Sequence, residues 1–218
     1  MTDDTTTLIA FATRIYRAPL CDEPQASDLR EGLRKAAVSL ADDDGAGRAW
    51  SEANDYGGYT SYASLNDLPW RMPEFQDLVR ELDRHVEAFA DELELDLGDG
   101  RLELDSLWVN VLHPGGHHAA HIHPHSVISG TYYVALPENA SAIRYEDPRL
   151  AMMMAAPPRR ADAARENKPF LTVAPDEGDV LLWESWLRHD VPVNRAAEPR
   201  LSISFNYAHV DGDEDDDA

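Results

Sequence analysis

The sequence contains one cysteine, Cys21. No intrachain disulfide framework is available to it, and the composition suits a reducing compartment. Positive charge is also scarce: 19 Lys and Arg stand against 41 Asp and Glu, a formal net charge of −22. So acidic a chain lacks the basic face that phosphate contacts require, which excludes nucleic acid as a main partner and disfavours anionic membrane surfaces. Apolar runs fall far short of the roughly 20 residues that span a bilayer. The opening MTDDTTTLIAF is acidic where a signal peptide would be basic. These absences lead us to expect a soluble, cytoplasmic protein. What remains is ample for folding: 43% of 218 residues are hydrophobic, enough to bury a core and too many for a disordered acidic polymer.

Charge and histidine are both unevenly placed. The last eight residues, DGDEDDDA, carry six carboxylates (Asp211, Asp213, Glu214, Asp215, Asp216 and Asp217), which leaves −16 for residues 1–210. We expect one domain over 1–210 and a disordered, solubilising tail over 211–218. Six of nine histidines crowd into HPGGHHAAHIHPH, His113 to His125.

The hydrophobic pattern changes character along the chain. Residues 8–19 look extended. Ser27 is positioned to cap a helix running to Leu40, with Leu29, Leu33, Ala36, Ala37 and Leu40 on one face. Asp42–Gly47 reads as a loop and Asn54–Tyr62 as irregular chain. Pro73–Leu93 is the clearest amphipathic helix, with His85 on its polar side. Beyond residue 101, strand-like runs follow: Leu102–Leu112, Ser129–Leu136, Ala142–Tyr145, Phe170–Val173, Val180–Trp183, His189–Val193 and Leu201–Tyr207. Helices first and short strands later indicate a mainly β sandwich or jelly roll with the helices packed on one side. Arg149–Lys168 is the one long insert between strands, of the length seen in lids and in surface excursions.

Within the histidine run, His121 and His123 are two residues apart, which on a strand points both side chains to one face. Two imidazoles so placed can reach one metal ion. His189 is the best third ligand, because it starts a strand that can close antiparallel beside the first pair. Three protein ligands leave positions open for substrate. Farther on, Arg200, Ser202, Ser204 and Asn206 share one face of a strand, and Leu201, Ile203, Phe205 and Tyr207 share the other. If the polar face lines a barrel, Arg200 is a buried cation in need of an anion. A ligand carboxylate, held by the guanidinium and the Ser202 hydroxyl, would suit it.

Those residues carry a resemblance. The segments HIHPHSVISGTYYV, YEDPR, PDEGDVLLWESWLRHDVPVN and RLSISFN, with FATRIYRAPL and GGYTSY earlier, resemble a bacterial and phage subfamily of 2-oxoglutarate–Fe(II) oxygenases. The resemblance touches residues 11–209, and its specific motifs lie in 108–207. It implies a double-stranded β-helix with Fe(II) among His121, His123 and His189. Arg200 and Ser202 would grip the far carboxylate of 2-oxoglutarate, with O2 as the oxidant. The implied reaction couples decarboxylation of 2-oxoglutarate to oxidation of a substrate, a small molecule or peptide whose identity the pattern does not encode. In the same frame Asn110 is a candidate for the cosubstrate's keto-acid end and Tyr133 for a further cosubstrate contact. The sequence departs from the wider superfamily at His123, where Asp or Glu is usual. Glu146 or Asp147 is therefore an alternative source of a carboxylate, and His118 or His125 an alternative imidazole.

Two rival readings stand beside this one. Gly115, five residues, then His121-x-His123 matches the start of a cupin pattern, which would make a metal dioxygenase or isomerase that does without 2-oxoglutarate. The glutamate that pattern needs is replaced by Val127 and Ile128. A non-enzymatic histidine-rich module would bind several ions loosely and give His189 and Arg200 no role. His113, His117, His118 and His125 read as mouth or loop residues, Trp108, Trp183 and Trp186 as packing, and Cys21 as inert. Homo-oligomerisation stays open.

Overall fold

A computed structural model describes residues 6–212. The acidic tail beyond Gly212 lies outside the described residues. The chain forms β1 (Ile15–Pro19), α1 (Gln25–Asp43), α2 (Gly45–Ala53), β2 (Gly58–Thr60), α3 (Leu68–Arg71) and α4 (Pro73–Glu92), followed by strands only: β3 (Arg101–Leu112), β4 (His118–His121), β5 (Ile128–Ala135), β6 (Ile143–Glu146), β7 (Phe170–Val173), β8 (Asp179–Glu184), β9 (His189–Val191) and β10 (Arg200–Val210). Every strand pairing is antiparallel. A six-stranded sheet has the order β1-β8-β5-β10-β3-β2, and a four-stranded sheet has the order β4-β9-β6-β7. This is the mainly β architecture, helices to one side, that the pattern indicates.

The period-two alternation of β10 and β3 decides where the core and the cavity lie. Leu201, Ile203, Phe205 and Tyr207 of β10 join Leu107, Val109 and Val111 of β3 in one apolar cluster with Leu29 and Leu33 of α1 and Phe75, Leu78, Leu82, Val86 and Phe89 of α4. The hydroxyl of Tyr207 donates to Asp83 on α4 at 2.6 Å, tying strand to helix. The opposite face of the same strands is polar and turns toward the smaller sheet. A second cluster, Tyr133, Ile143, Tyr145, Leu181, Trp183 and Leu187, packs between the two sheets.

Several local expectations are corrected. The N-terminal strand covers only Ile15–Pro19 of the extended stretch over 8–19. Helix α1 starts at Gln25 with Pro24 in the N-cap position, so Ser27 sits inside the first turn instead of capping it. Asp42–Gly47 is not a loop: α1 runs to Asp43, and Asp44 caps α2 by accepting from the Gly47 amide at 2.9 Å. The same carboxylate accepts from Tyr59 at 2.9 Å and Ser64 at 2.5 Å, which fastens the helix pair to β2. The Asn54–Tyr62 segment contains β2, an edge strand paired to the end of β3. His85 is half-buried rather than solvated. Its Nδ1 accepts from the Tyr16 hydroxyl at 2.8 Å while its Nε2 donates to the Leu20 carbonyl at 2.7 Å, joining α4 to the first strand. Among the described residues no helix is long and apolar enough to cross a membrane.

Candidate metal centre

A cavity of about 860 Å³ opens between the two sheets, lined by the polar faces of β3, β5 and β10 on one side and by β4, β6 and β9 on the other. Serine, threonine and asparagine side chains fill its floor with hydrogen bonds to one another. Ser129 donates to Asn206 at 2.8 Å, Asn206 to Ser106 at 2.9 Å, and Asn110 to Ser204 at 3.1 Å. Paired in this way, the polar residues of three strands can stay dry at low cost.

His121 ends β4 and is in register with His189, the first residue of β9. His123 lies beyond the end of β4, so the pair does not share a strand as the spacing suggests. Its backbone is held instead by its amide, which donates to the Ser185 carbonyl at 3.0 Å. The outcome is still convergence: one ligand atom from each of His121, His123 and His189 lies within 4.8 Å of the others. The rings of His123 and His189 are parallel within 1°, and their Nε2 atoms are 3.4 Å apart. That is the spacing of two donors sharing one ion at about 2.1 Å each. The tautomers suit the role. His121 Nδ1 donates to the Ala119 carbonyl at 2.7 Å and His189 Nδ1 to the Leu187 carbonyl at 2.9 Å, leaving both Nε2 lone pairs facing inward. Burial, helped by the neighbouring His121, pushes His189 down to about 3 and His123 down to about 4. Both are thus neutral near pH 7, the form that binds metal.

The alternative ligands are engaged elsewhere. Glu146 faces Arg188 at 3.4 Å, and Asp147 pairs with Arg149 at 2.8 Å. His125 is exposed at the cavity mouth with φ of 77°. His118 is no loop residue: it starts β4, half-buried against Tyr56, whose hydroxyl meets its Nε2 at 2.5 Å, and desolvation plus the charge of Arg200 holds it down at about 3. Two glycines make this contact possible. Gly57 packs so closely on Gly116 that a Cβ on Gly57 would lie 2.4 Å from the Gly116 Cα, which draws the Tyr56 segment down over the turn before β4. Asn194, unremarkable in sequence, fixes that turn from beneath. Its amide nitrogen donates to the Leu112 carbonyl at 3.0 Å, and its backbone exchanges hydrogen bonds with Gly115 and Gly116.

Arg200 is only 2% exposed, at the end of the cavity where β10 meets β2 and β3. Its Nη1 donates to Ser202 Oγ at 2.9 Å, its guanidinium lies over the Tyr133 ring at 5.0 Å, and its Nε has no hydrogen-bond partner. Among the described residues no carboxylate pairs with it. A buried, unneutralised guanidinium is costly unless an anion joins it, so an anionic ligand fits this end of the cavity. Asn110 also lines the wall, but its side chain is already engaged: Oδ1 accepts from Tyr56 at 3.1 Å and Thr60 at 2.9 Å. Trp108 is buried yet faces the cavity, stacked on His123 with ring centroids 5.9 Å apart, so it belongs to the site wall and not to the core. Trp183 packs edge-on against His189 at 4.7 Å. Residues 149–168 form two short 3-10 turns and line no part of the cavity.

Comparisons with known proteins give a family match over part of the chain and a shared fold. Residues 106–206 match the family model described as "Putative 2OG-Fe(II) oxygenase". No curated protein matches the chain. Among solved structures, AviO1 from Streptomyces viridochromogenes Tue57 is 19% identical with a TM-score of 0.57 and 90% of each chain covered. HygX from Streptomyces hygroscopicus, solved with nickel and 2-oxoglutarate bound, is 15% identical with a TM-score of 0.56, covering 90% of this chain and 82% of that one. A 2OG-Fe(II) oxygenase family oxidoreductase from Burkholderia pseudomallei is 15% identical with a TM-score of 0.47; this chain covers 59% of its length, and 63% of this chain is matched. The matched residues run from within β3 to within β10 and hold all three histidines and Arg200, so over 106–206 the chain is similar to the 2-oxoglutarate–Fe(II) oxygenases.

Proposed function

We propose that the protein is an Fe(II)- and 2-oxoglutarate-dependent oxygenase that oxidises, by hydroxylation or a related reaction, a small molecule or peptide side chain. One observation carries the reading: a cluster of three imidazoles and a buried, unpaired arginine occupy the same cavity. In this account His121, His123 and His189 hold the iron. Arg200 binds the distal carboxylate of 2-oxoglutarate, and Ser202 both orients the guanidinium and shares the anion. Bound there, iron, 2-oxoglutarate and dioxygen supply the oxidation, in which 2-oxoglutarate loses carbon dioxide to become succinate and one oxygen atom of O2 enters each of succinate and the substrate. The chain's own residues bind, orient and exclude water. Trp183 lines the cavity with its indole N–H unpartnered, and Tyr133, fully buried with its hydroxyl unpartnered, packs its ring against the Arg200 guanidinium. Asn110, held by Tyr56, Thr60 and Ser204, keeps the wall rigid.

The test is conversion of 2-oxoglutarate to succinate by the purified protein with Fe(II) and O2, in the absence of added substrate. We expect slow turnover that needs iron and is lost in Arg200→Ala at low cosubstrate. Absence of turnover in the iron-loaded protein, together with absence of 2-oxoglutarate binding, would overturn the reading.

A further inference from the structure

The cavity has two charged ends. Among the described residues, Arg200 and Asp105 are the only Arg, Lys, Asp or Glu side chains that line it. Arg200 is in register with Leu112, and Asp105 lies seven residues back along β3, which is about 23 Å of strand. The metal triad falls between them, since Trp108 stacks on His123. With the cosubstrate taken up on the Arg200 side, the Asp105 side is left for the substrate.

Asp105 reaches the cavity because of a bulge. Asn206 pairs with Ser106 and Tyr207 with Leu104, so Asp105 has no partner on β10. Before the bulge, Leu102 and Leu104 pack toward the helices; after it, Leu107 and Val109 do. The alternation therefore switches at Asp105, and both Asp105 and Ser106 turn to the cavity. Among the described residues Asp105 forms no salt bridge, whereas Glu103, two positions away, is paired with Arg101 at 2.7 Å. A run of aromatic rings leads inward from the surface on the same wall. Trp50 contacts Tyr62 with centroids 6.0 Å apart, Tyr62 meets Trp108 edge-on at 5.3 Å, and Trp108 ends at His123. Tyr62 is 59% exposed, an open ring face at the entrance.

We propose that the oxygenase takes a cationic substrate, one bearing an ammonium or guanidinium group, held between the Asp105 carboxylate and the faces of Tyr62 and Trp108. This rests on the proposed function for the location of the reacting centre, and it adds the chemical class of the substrate. Aromatic faces attract cations through the ring quadrupole, and an unpaired carboxylate beside them adds direct attraction. The net charge of −22 acts in the same direction at longer range, concentrating cations near the mouth. An anionic substrate would meet repulsion from the whole molecule and from Asp105, with Arg200 already committed to the cosubstrate.

The experiment uses full-length protein loaded anaerobically with Fe(II) and 2-oxoglutarate. Choline and its neutral isostere 3,3-dimethyl-1-butanol are titrated by calorimetry. They match in shape and differ in charge. We expect choline to bind about tenfold more tightly, roughly the contribution of one desolvated cation–π contact with a carboxylate nearby. Asp105→Asn and Tyr62→Leu should each bring the ratio below about threefold, with 2-oxoglutarate affinity unchanged. Equal binding of the two probes, binding of neither, or selectivity that survives both variants would overturn the proposal. Its failure is distinguishable from failure of the oxygenase reading, because the prior titration with 2-oxoglutarate reports on that independently.

Discussion

His121 and His189 face each other across the pairing of β4 with β9, and the carbonyl bonds at their Nδ1 atoms turn both Nε2 atoms toward the cavity. The register of two short strands thus sets the distance between two proposed metal ligands, and a third imidazole is brought in by the chain that leaves β4. His121→Ala and His189→Ala should each reduce bound iron from one per chain to a small fraction at stoichiometric metal, measured by elemental analysis of anaerobically purified protein. A histidine-rich sequestering loop would behave differently, losing only a small share of several loosely held ions when His189 is removed.

Ser202 is a weaker contributor than Arg200 in this arrangement. Its hydroxyl accepts from Arg200 Nη1 and can also donate to an anion. Ser202→Ala should weaken 2-oxoglutarate binding by about three- to tenfold, the range of one hydrogen bond, with iron content unchanged. An unaltered dissociation constant would leave the hydroxyl as packing only.

The buried imidazoles make the metal-free protein acid-sensitive. Burial lowers His118 and His189 to about 3 and His123 to about 4, against 6.5 for the unfolded chain. Above pH 6.5 both states are neutral there and the stability is fully present. As pH falls below that value the unfolded chain takes up protons first, so stability is lost, at up to about 1.4 kcal/mol per pH unit for each histidine, down toward the folded-state values. Urea denaturation of metal-free protein between pH 7 and pH 5 should show this loss. His123→Gln should reduce its slope, and an identical slope in that variant would contradict the assignment.

Asp44 joins the helical layer to the sheet. Burial opposes its ionisation, yet the hydrogen bonds from Ser64, Gly47 and Tyr59 outweigh that and lower its carboxyl. Asp44→Ala removes a cap and leaves Tyr59 and Ser64 without their acceptor. We expect a loss of about 2 kcal/mol in urea denaturation, with cosubstrate binding retained. Because the folded-state value is depressed, the contribution is present above the unfolded carboxyl value and disappears as pH falls through the folded one.

Much of this was legible in the sequence because it depends on period and spacing. The alternation in RLSISFNY separates core from cavity without knowledge of any partner strand, and it places Arg200 and Ser202 on the cavity side. The histidine spacing also points to the three side chains that converge, although His123 arrives by a backbone bond to Ser185 and not by strand geometry. What the pattern could not show depends on long-range closure. The Tyr56–His118 contact needs two glycines, 59 residues apart in sequence, to touch. The role of Asn194 needs the loop it braces. Asp105 reads as an ordinary exposed acid on a strand until the register shift at Asn206 is known. Trp108 reads as core because a buried indole in a strand does not reveal which of its two faces has a cavity beside it.

The central claim is that this cavity binds iron on three histidines and a dicarboxylate on Arg200. The most direct test is a calorimetric titration of 2-oxoglutarate into anaerobic, iron-loaded protein, wild type against Arg200→Ala. We predict one site per chain, with affinity falling by about a hundredfold or more in the variant while iron stays bound, as expected when a buried charge-assisted pair is lost. Equal affinity in the two proteins, or no binding to the iron-loaded wild type, would contradict the account.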